Sequence, residues 1–138
     1  MNTETTHLID ELEKKFDAII AFEVIEHLQD VNSFFEIVSQ KLSNNGYIGF
    51  TVPNYNKRNN YINPGETIFQ SGPPIHLNFF TTNSIYELAK LYNFEIIFCK
   101  TKKFPYFNWK KRDTYRFILK AIVGKFNGQT IQCLMIKK

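Results

Sequence analysis

The stretch best equipped for chemistry is Phe22-Glu23-Val24-Ile25-Glu26-His27, directly behind the apolar segment Phe16-Asp17-Ala18-Ile19-Ile20-Ala21-Phe22. If Glu23 to His27 open a helical turn, Glu23, Glu26 and His27 stand at i, i+3 and i+4 and share one face. Two carboxylates and an imidazole converging in this way can hold a divalent cation, and oxygen ligands with one nitrogen suit Mg²⁺, Mn²⁺ or Zn²⁺ without choosing among them. The plainer reading is that the glutamates favour a helix N-terminus through its dipole, with His27 partly buried. His76 follows Gly72-Pro73-Pro74-Ile75, a rigid turn able to hold it over the same end of a sheet. Its plainer reading is an exposed loop histidine. His7 lies in a first amphipathic segment and carries no role.

Other chemistries are missing. The first glycine is Gly46, and Gly46-Tyr47-Ile48-Gly49 runs into a strand rather than opening a helix, so the chain has no dinucleotide or P-loop fingerprint. It has no Gly-x-Ser-x-Gly elbow and no cysteine near a histidine. Cys99 and Cys133 each sit in an apolar, strand-like segment and read as buried thiols. A disulfide between them has no support in the sequence.

The elements that must position Glu23–His27 and His76 follow from periodicity. Leu8, Ile9 and Leu12 at helical spacing predict a short helix over 4–14. Phe16–Phe22 is apolar on both faces apart from Asp17, the pattern of a strand inside a sheet covered on two sides. Asp30 can cap a helix whose stripe is Val31, Phe34, Phe35, Val38 and Leu42, with Asn44-Asn45-Gly46 as its stop. A strand follows over Tyr47–Val52, then a long loop over 54–78. Thr81 or Thr82 can cap a helix reaching Tyr92, with Ile85, Leu88, Ala89 and Tyr92 inward. Strands over Phe94–Cys99 and Thr130–Ile136 flank a helix over 114–126, inside a variable insertion over 101–128. Strands alternating with helices make an α/β layered domain, with a sheet mainly parallel because helical crossovers join its strands.

The chain has 138 residues, enough for one domain over 1–138, and 43% hydrophobic content is ordinary for a globular protein. Lysine and arginine number 17 against 13 acidic residues, a net charge of +4 that means little unless clustered. The one cluster is Lys102-Lys103, Lys110-Lys111-Arg112 and Arg116, interleaved with Phe104, Tyr106, Phe107 and Trp109. Such a pattern can stack on single-stranded nucleic acid or sit at a membrane surface. Its plainer reading, which we favour, has the rings turned to the core and the lysines solvated. No apolar run approaches the roughly 20 residues needed to cross a bilayer. The N-terminus lacks the pattern of a secretory signal, so the expected location is cytoplasmic.

Three stretches together resemble class I S-adenosylmethionine-dependent methyltransferases. Phe16 to Leu28 is similar to their fourth strand and following loop, and Leu42 to Asn54 to their next helix end and fifth strand. His76-Leu77-Asn78-Phe79-Phe80-Thr81 with Asn93-Phe94-Glu95 resembles the stretch leading to the sixth strand. By pattern the nearest are the ubiquinone-biosynthesis O-methyltransferases and the methyltransferases of sugars and lipids. Small-RNA 2′-O-methyltransferases also carry a Glu-x-x-Glu-His motif with a distal histidine that binds metal; Glu23, Glu26, His27 and His76 match those positions.

The resemblance implies a partial, Rossmann-like, three-layer α/β fold of roughly four strands, mostly parallel with an antiparallel last strand. It implies S-adenosylmethionine as cofactor, with Phe22 and Glu23 lining its pocket, and a divalent metal such as Mg²⁺ on Glu23, Glu26, His27 and His76. His27 or His76 would be the catalytic base, and Asn54 would face a small-molecule acceptor. The family's glycine-rich loop and ribose-gripping acid lie upstream of what begins here at Phe16, so the chain resembles the C-terminal half of the domain, strands four to seven. Nothing in the chain supplies the strand that pairs with 16–22 in the family. The helix near Leu8–Leu12, a second copy of the chain or another polypeptide should then cover that edge. The alternative is a non-catalytic interaction or assembly module that keeps the core.

Overall fold

Side chains at the ends of each element set where it starts and stops. The computed structural model describes residues 14–60, 72–101 and 114–138. Strands β1 (Phe16–Phe22), β2 (Leu42–Pro53), β3 (Phe94–Thr101) and β4 (Thr130–Lys137) accompany helices α1 (Val31–Lys41), α2 (Thr82–Leu91) and α3 (Thr114–Ile122). The Asp30 carboxylate caps α1, accepting from the Ser33 amide at 3.0 Å and the Ser33 hydroxyl at 2.6 Å. At α2 the Thr81 hydroxyl accepts from the Ser84 amide at 3.1 Å, and the Ser84 hydroxyl accepts from the Thr81 amide at 2.9 Å. Each cap satisfies amides that have no partner inside the helix. α3 stops earlier than expected, at Ile122, because Gly124 takes a φ of 72° and turns the chain out of the helix.

The start of β2 differs from expectation for a local reason. α1 ends at Lys41 and the strand begins at once at Leu42, so Asn44-Asn45-Gly46 lies inside β2 rather than before it. Those residues form a bulge: Phe16 pairs with Leu42, but Ala18 already pairs with Tyr47. Asn45 takes a φ of 61°. A Cβ on Gly46 would stand 2.9 Å from the Ser43 carbonyl oxygen and 3.2 Å from that of Phe16. Glycine is needed there for close backbone approach.

The sheet order is β1-β2-β4-β3. β1 runs parallel to β2, while β4 is antiparallel to both β2 and β3. β1, β2 and β3 therefore share one direction and the last strand opposes them, as expected. Because β4 lies between β2 and β3, only the β1–β2 ladder is parallel among the described strands.

One face of the sheet carries the core. Ile48, Phe50 and Val52 of β2 and Ile131, Cys133 and Met135 of β4 point beneath Phe34, Phe35 and Val38 of α1 and Ile85 and Ala89 of α2. The Phe35 ring stacks on Tyr92 at 5.5 Å and meets Phe50 edge-on at 6.1 Å, joining both helices to the sheet. Each such buried side chain stabilises the fold by about 1.5–3 kcal/mol. β1 is different. Its composition is that of a covered strand, yet it stands at the end of the sheet with Ile20 64% and Phe22 63% exposed. Among the described residues nothing pairs with its outer edge. The expected helix over 4–14, most of the basic aromatic stretch and residues 61–71 of the long loop lie outside the described residues. Among the described residues, no helix is long and apolar enough to cross a membrane.

Candidate functional site

The carboxyl end of β1 is where the chain turns sharply. Glu23 takes a φ of 52°, and its amide donates to the Thr51 carbonyl of β2 at 2.9 Å. This left-handed residue redirects the backbone into a short 3-10 turn over Ile25–His27. The turn buries Ile25 and Glu26. Glu23 itself is exposed and stands outside the turn. The expectation that Glu23, Glu26 and His27 share a helical face is therefore corrected: the turn begins two residues later.

Glu26 is 1% exposed, and neither of its carboxylate oxygens has a hydrogen-bond partner. Burial pushes its carboxyl above the ordinary range. The neighbouring Glu23 charge adds to this, while its own amide and the His27 ring pull the other way less strongly. His27 Nε2 lies 3.7 Å from Glu26 Oε1. The other ring nitrogen, Nδ1, is hydrogen-bonded to the Ile75 carbonyl. A carbonyl only accepts, so Nδ1 carries a proton and Nε2 is the nitrogen that faces Glu26. The His76 ring meets that of His27 edge-on with centroids 4.9 Å apart. Ligand atoms of Glu26, His27 and His76 all lie within 4.8 Å of one another.

What holds His76 there is a set of bonds between the two segments. The Leu77 and Asn78 amides both donate to the Glu26 carbonyl, at 2.8 and 3.0 Å. The Asn78 side-chain amide donates to the Leu28 carbonyl at 2.6 Å and the Ile25 carbonyl at 3.4 Å. Residues 75–78 are thus sewn to the 25–28 turn, although about fifty positions separate them in the sequence. Sequence reasoning missed Asn78 as a positioning residue; the only available signal was an amide side chain two residues after a candidate histidine.

The other candidates fall elsewhere. Among the described residues, the side chains with metal-ligand spacing at this end of the sheet are Glu26, His27 and His76, and Glu23 lies outside that group. Phe22 keeps its ring exposed at the same end of β1. Asn54 is 2% exposed and its side chain is already bonded: Nδ2 donates to the Gly128 carbonyl at 2.8 Å and Oδ1 accepts from the Asn56 amide at 3.0 Å. Its amide donates to the Gln129 carbonyl, and it bridges in parallel to Phe80. These bonds make Asn54 a clamp that ties β2's end to the start of β4 and to the far end of the long loop. Two imidazoles and a carboxylate can bind a divalent cation, and Nε2 of His27 can accept a proton.

A family profile described as a methyltransferase domain matches residues 2–97. Among solved structures, an S-adenosylmethionine-dependent methyltransferase from Archaeoglobus fulgidus aligns with a TM-score of 0.64 at 16% identity, over 99% of this chain and 66% of that one. The complex between the Haloferax volcanii Trm112 methyltransferase activator and a methyltransferase gives 0.62 at 14% identity, over 93% and 57%. Magnesium protoporphyrin IX methyltransferase from Synechocystis, with S-adenosylhomocysteine bound, gives 0.56 at 9% identity, over 94% and 48%. At these identities the likeness is one of fold, and the fold is a partial class I methyltransferase fold. The chain spans between 48% and 66% of the length of these structures. No curated protein matches it.

Proposed function

We propose that this chain, which belongs to the methyltransferase-domain family, forms part of an S-adenosylmethionine-dependent O-methyltransferase of the ubiquinone-biosynthesis type. Its acceptor would be a small molecule or the sugar or lipid portion of one, and donor binding would require a further segment along the free edge of β1. The observation that carries this reading is the Glu26, His27 and His76 cluster at the carboxyl end of β1. Ligands of α/β sheets bind beyond the carboxyl ends of strands.

The residues at that end suit the donor as one wall of a pocket. The exposed ring of Phe22 offers a flat apolar surface, and the exposed carboxylate of Glu23 can accept from hydroxyls. When bound, S-adenosylmethionine supplies a methyl group on a positively charged sulfur. The chain's own contribution is to hold and move a proton. His27 Nε2 takes the proton of the acceptor hydroxyl while the Ile75 carbonyl keeps the ring oriented through Nδ1. The positive charge then gained by the ring is offset by the Glu26 carboxylate 3.7 Å away. His76 packs against the same ring and limits its rotation.

The cluster fits a divalent cation as the alternative to that proton transfer, because the Glu26 oxygens have no hydrogen-bond partner and Nε2 of His27 lies beside them; with a cation bound, Nε2 would be a ligand and not the base. A bound cation would polarise the acceptor oxygen. Two nitrogen donors with one carboxylate suit Mn²⁺ or Zn²⁺ better than Mg²⁺, which prefers oxygen throughout. The partner along β1 would be a second copy of the chain or another polypeptide. One structural neighbour, the Trm112 complex, is a methyltransferase paired with an activator chain.

Calorimetric titration with S-adenosylhomocysteine tests the proposal. The chain alone should give no binding heat at micromolar concentration. Mixed with a polypeptide that carries a first-strand, glycine-rich half of this fold, it should bind. Tight binding by the chain alone, or none by the completed pair, would overturn the reading.

A further inference from the structure

We propose that Cys99 and Cys133 are a redox-active pair that closes reversibly into a disulfide between β3 and β4. The two residues are direct partners in the antiparallel ladder, flanked by the Phe98–Leu134 and Lys100–Gln132 pairs. Direct partners project from the same face of a sheet. Here it is the helix-covered face: Cys133 is 3% exposed in the core and Cys99 packs half-buried against it. Directly opposed residues in such a ladder have Cα atoms about 4.5 or 5.5 Å apart. Both values lie within the range of about 4.4–6.8 Å that disulfides span. Closure needs side-chain rotation and no shift of register. Both thiols are free.

The two sulfurs sit in unequal surroundings, which favours one of them as nucleophile. The adjacent Cys133 sulfur lowers the pKa of the half-buried Cys99, while the Cys99 sulfur and burial raise that of Cys133. The half-buried sulfur, nearer to solvent, is the better placed of the two to act as nucleophile. Spacing along the chain gives no hint of this pairing; the ladder creates it.

The reaction balances with a hydroperoxide as oxidant. The Cys99 thiolate attacks the terminal oxygen, an S–O bond forms, the O–O bond breaks, and the released oxyanion takes a proton from water. The Cys133 sulfur then attacks the Cys99 sulfur of the sulfenic acid. The S–S bond forms, the S–O bond breaks, and the Cys133 proton leaves with the hydroxyl as water. Two thiols are oxidised by two electrons and one hydroperoxide is reduced. Glutathione would reverse the closure by thiol–disulfide exchange. The staple would fix β3 to β4 at the level where β4 also pairs with Phe50 of β2.

Hydrogen peroxide added to the folded chain, followed by alkylation and intact-mass and peptide analysis, tests this. The expected product has lost two hydrogens, resists alkylation at both cysteines, and yields one Cys99–Cys133 cross-linked peptide. Glutathione should restore both thiols. Closure should be at least about tenfold slower in denaturing urea, where the sulfurs are no longer held together. Oxygen added to either sulfur without a cross-link, a disulfide between chains, or equal rates in urea would overturn the proposal. Cys133→Ala should instead accumulate a sulfenic acid at Cys99; the unsubstituted chain decides the question if that variant does not fold.

Discussion

Glu26 enters the fold buried with both carboxylate oxygens unpaired, a state that costs about 1–3 kcal/mol for a neutral polar group and more for a charge. Glu26→Gln removes the charge at nearly constant shape. It should abolish Mn²⁺ or Zn²⁺ binding measured by calorimetry, a loss of at least about 10-fold, while leaving the thermal midpoint equal or higher. His76→Ala should weaken the cation similarly. Unchanged binding in both variants would remove the cation from the account. Asp30 supplies a pH test. Its hydrogen bonds from the Ser33 hydroxyl and amide hold the carboxyl below the ordinary value of 3.8. The folded state therefore favours the ionised form, so its contribution is present above pH 3.8 and is lost as pH falls through the lowered value. Asp30→Asn keeps a capping acceptor and should flatten the acid limb of a melting-temperature profile relative to the parent chain. At this scale, type and spacing singled out Glu26, His27 and His76, which the fold brings within 4.8 Å of one another. The left-handed φ of Glu23 and the inward bonding of Asn54 were not legible, because they depend on backbone neighbours that a spacing rule does not contain.

Among the elements, caps were easier to read than strand limits. Asp30 and Thr81 cap α1 and α2 where their side-chain chemistry puts them. Thr81→Ala should cost about 1 kcal/mol in chemical denaturation. β2 began early because a strand can absorb Asn44-Asn45-Gly46 as a bulge, and the register against Phe16 that permits this is a tertiary fact. Gly46→Ala forces a methyl group against two carbonyl oxygens. Denaturant melts should show a loss of roughly 1–3 kcal/mol, and a neutral outcome would mean the bulge can relax. The sheet's mostly common strand direction followed from its crossovers. The insertion of β4 between β2 and β3 did not, since the pattern of hydrophobicity carries no strand order.

For the molecule as a whole, the telling mismatch is β1, apolar on both faces and placed at an edge with no pairing strand among the described residues. Such an edge invites association. The isolated chain should self-associate with rising concentration in sedimentation experiments, and Ile20→Lys should shift it toward monomer without unfolding it. Persistent monomer behaviour of the parent chain would show that the edge is already protected. Hydrogen exchange on the completed assembly, with and without S-adenosylhomocysteine, reports whether the carboxyl end of β1 forms a wall of the donor site. Exchange across Phe22–His27 should slow on ligand addition, with the middle of β4 unaffected. Protection confined to other parts of the chain, with Phe22–His27 unchanged, would contradict it.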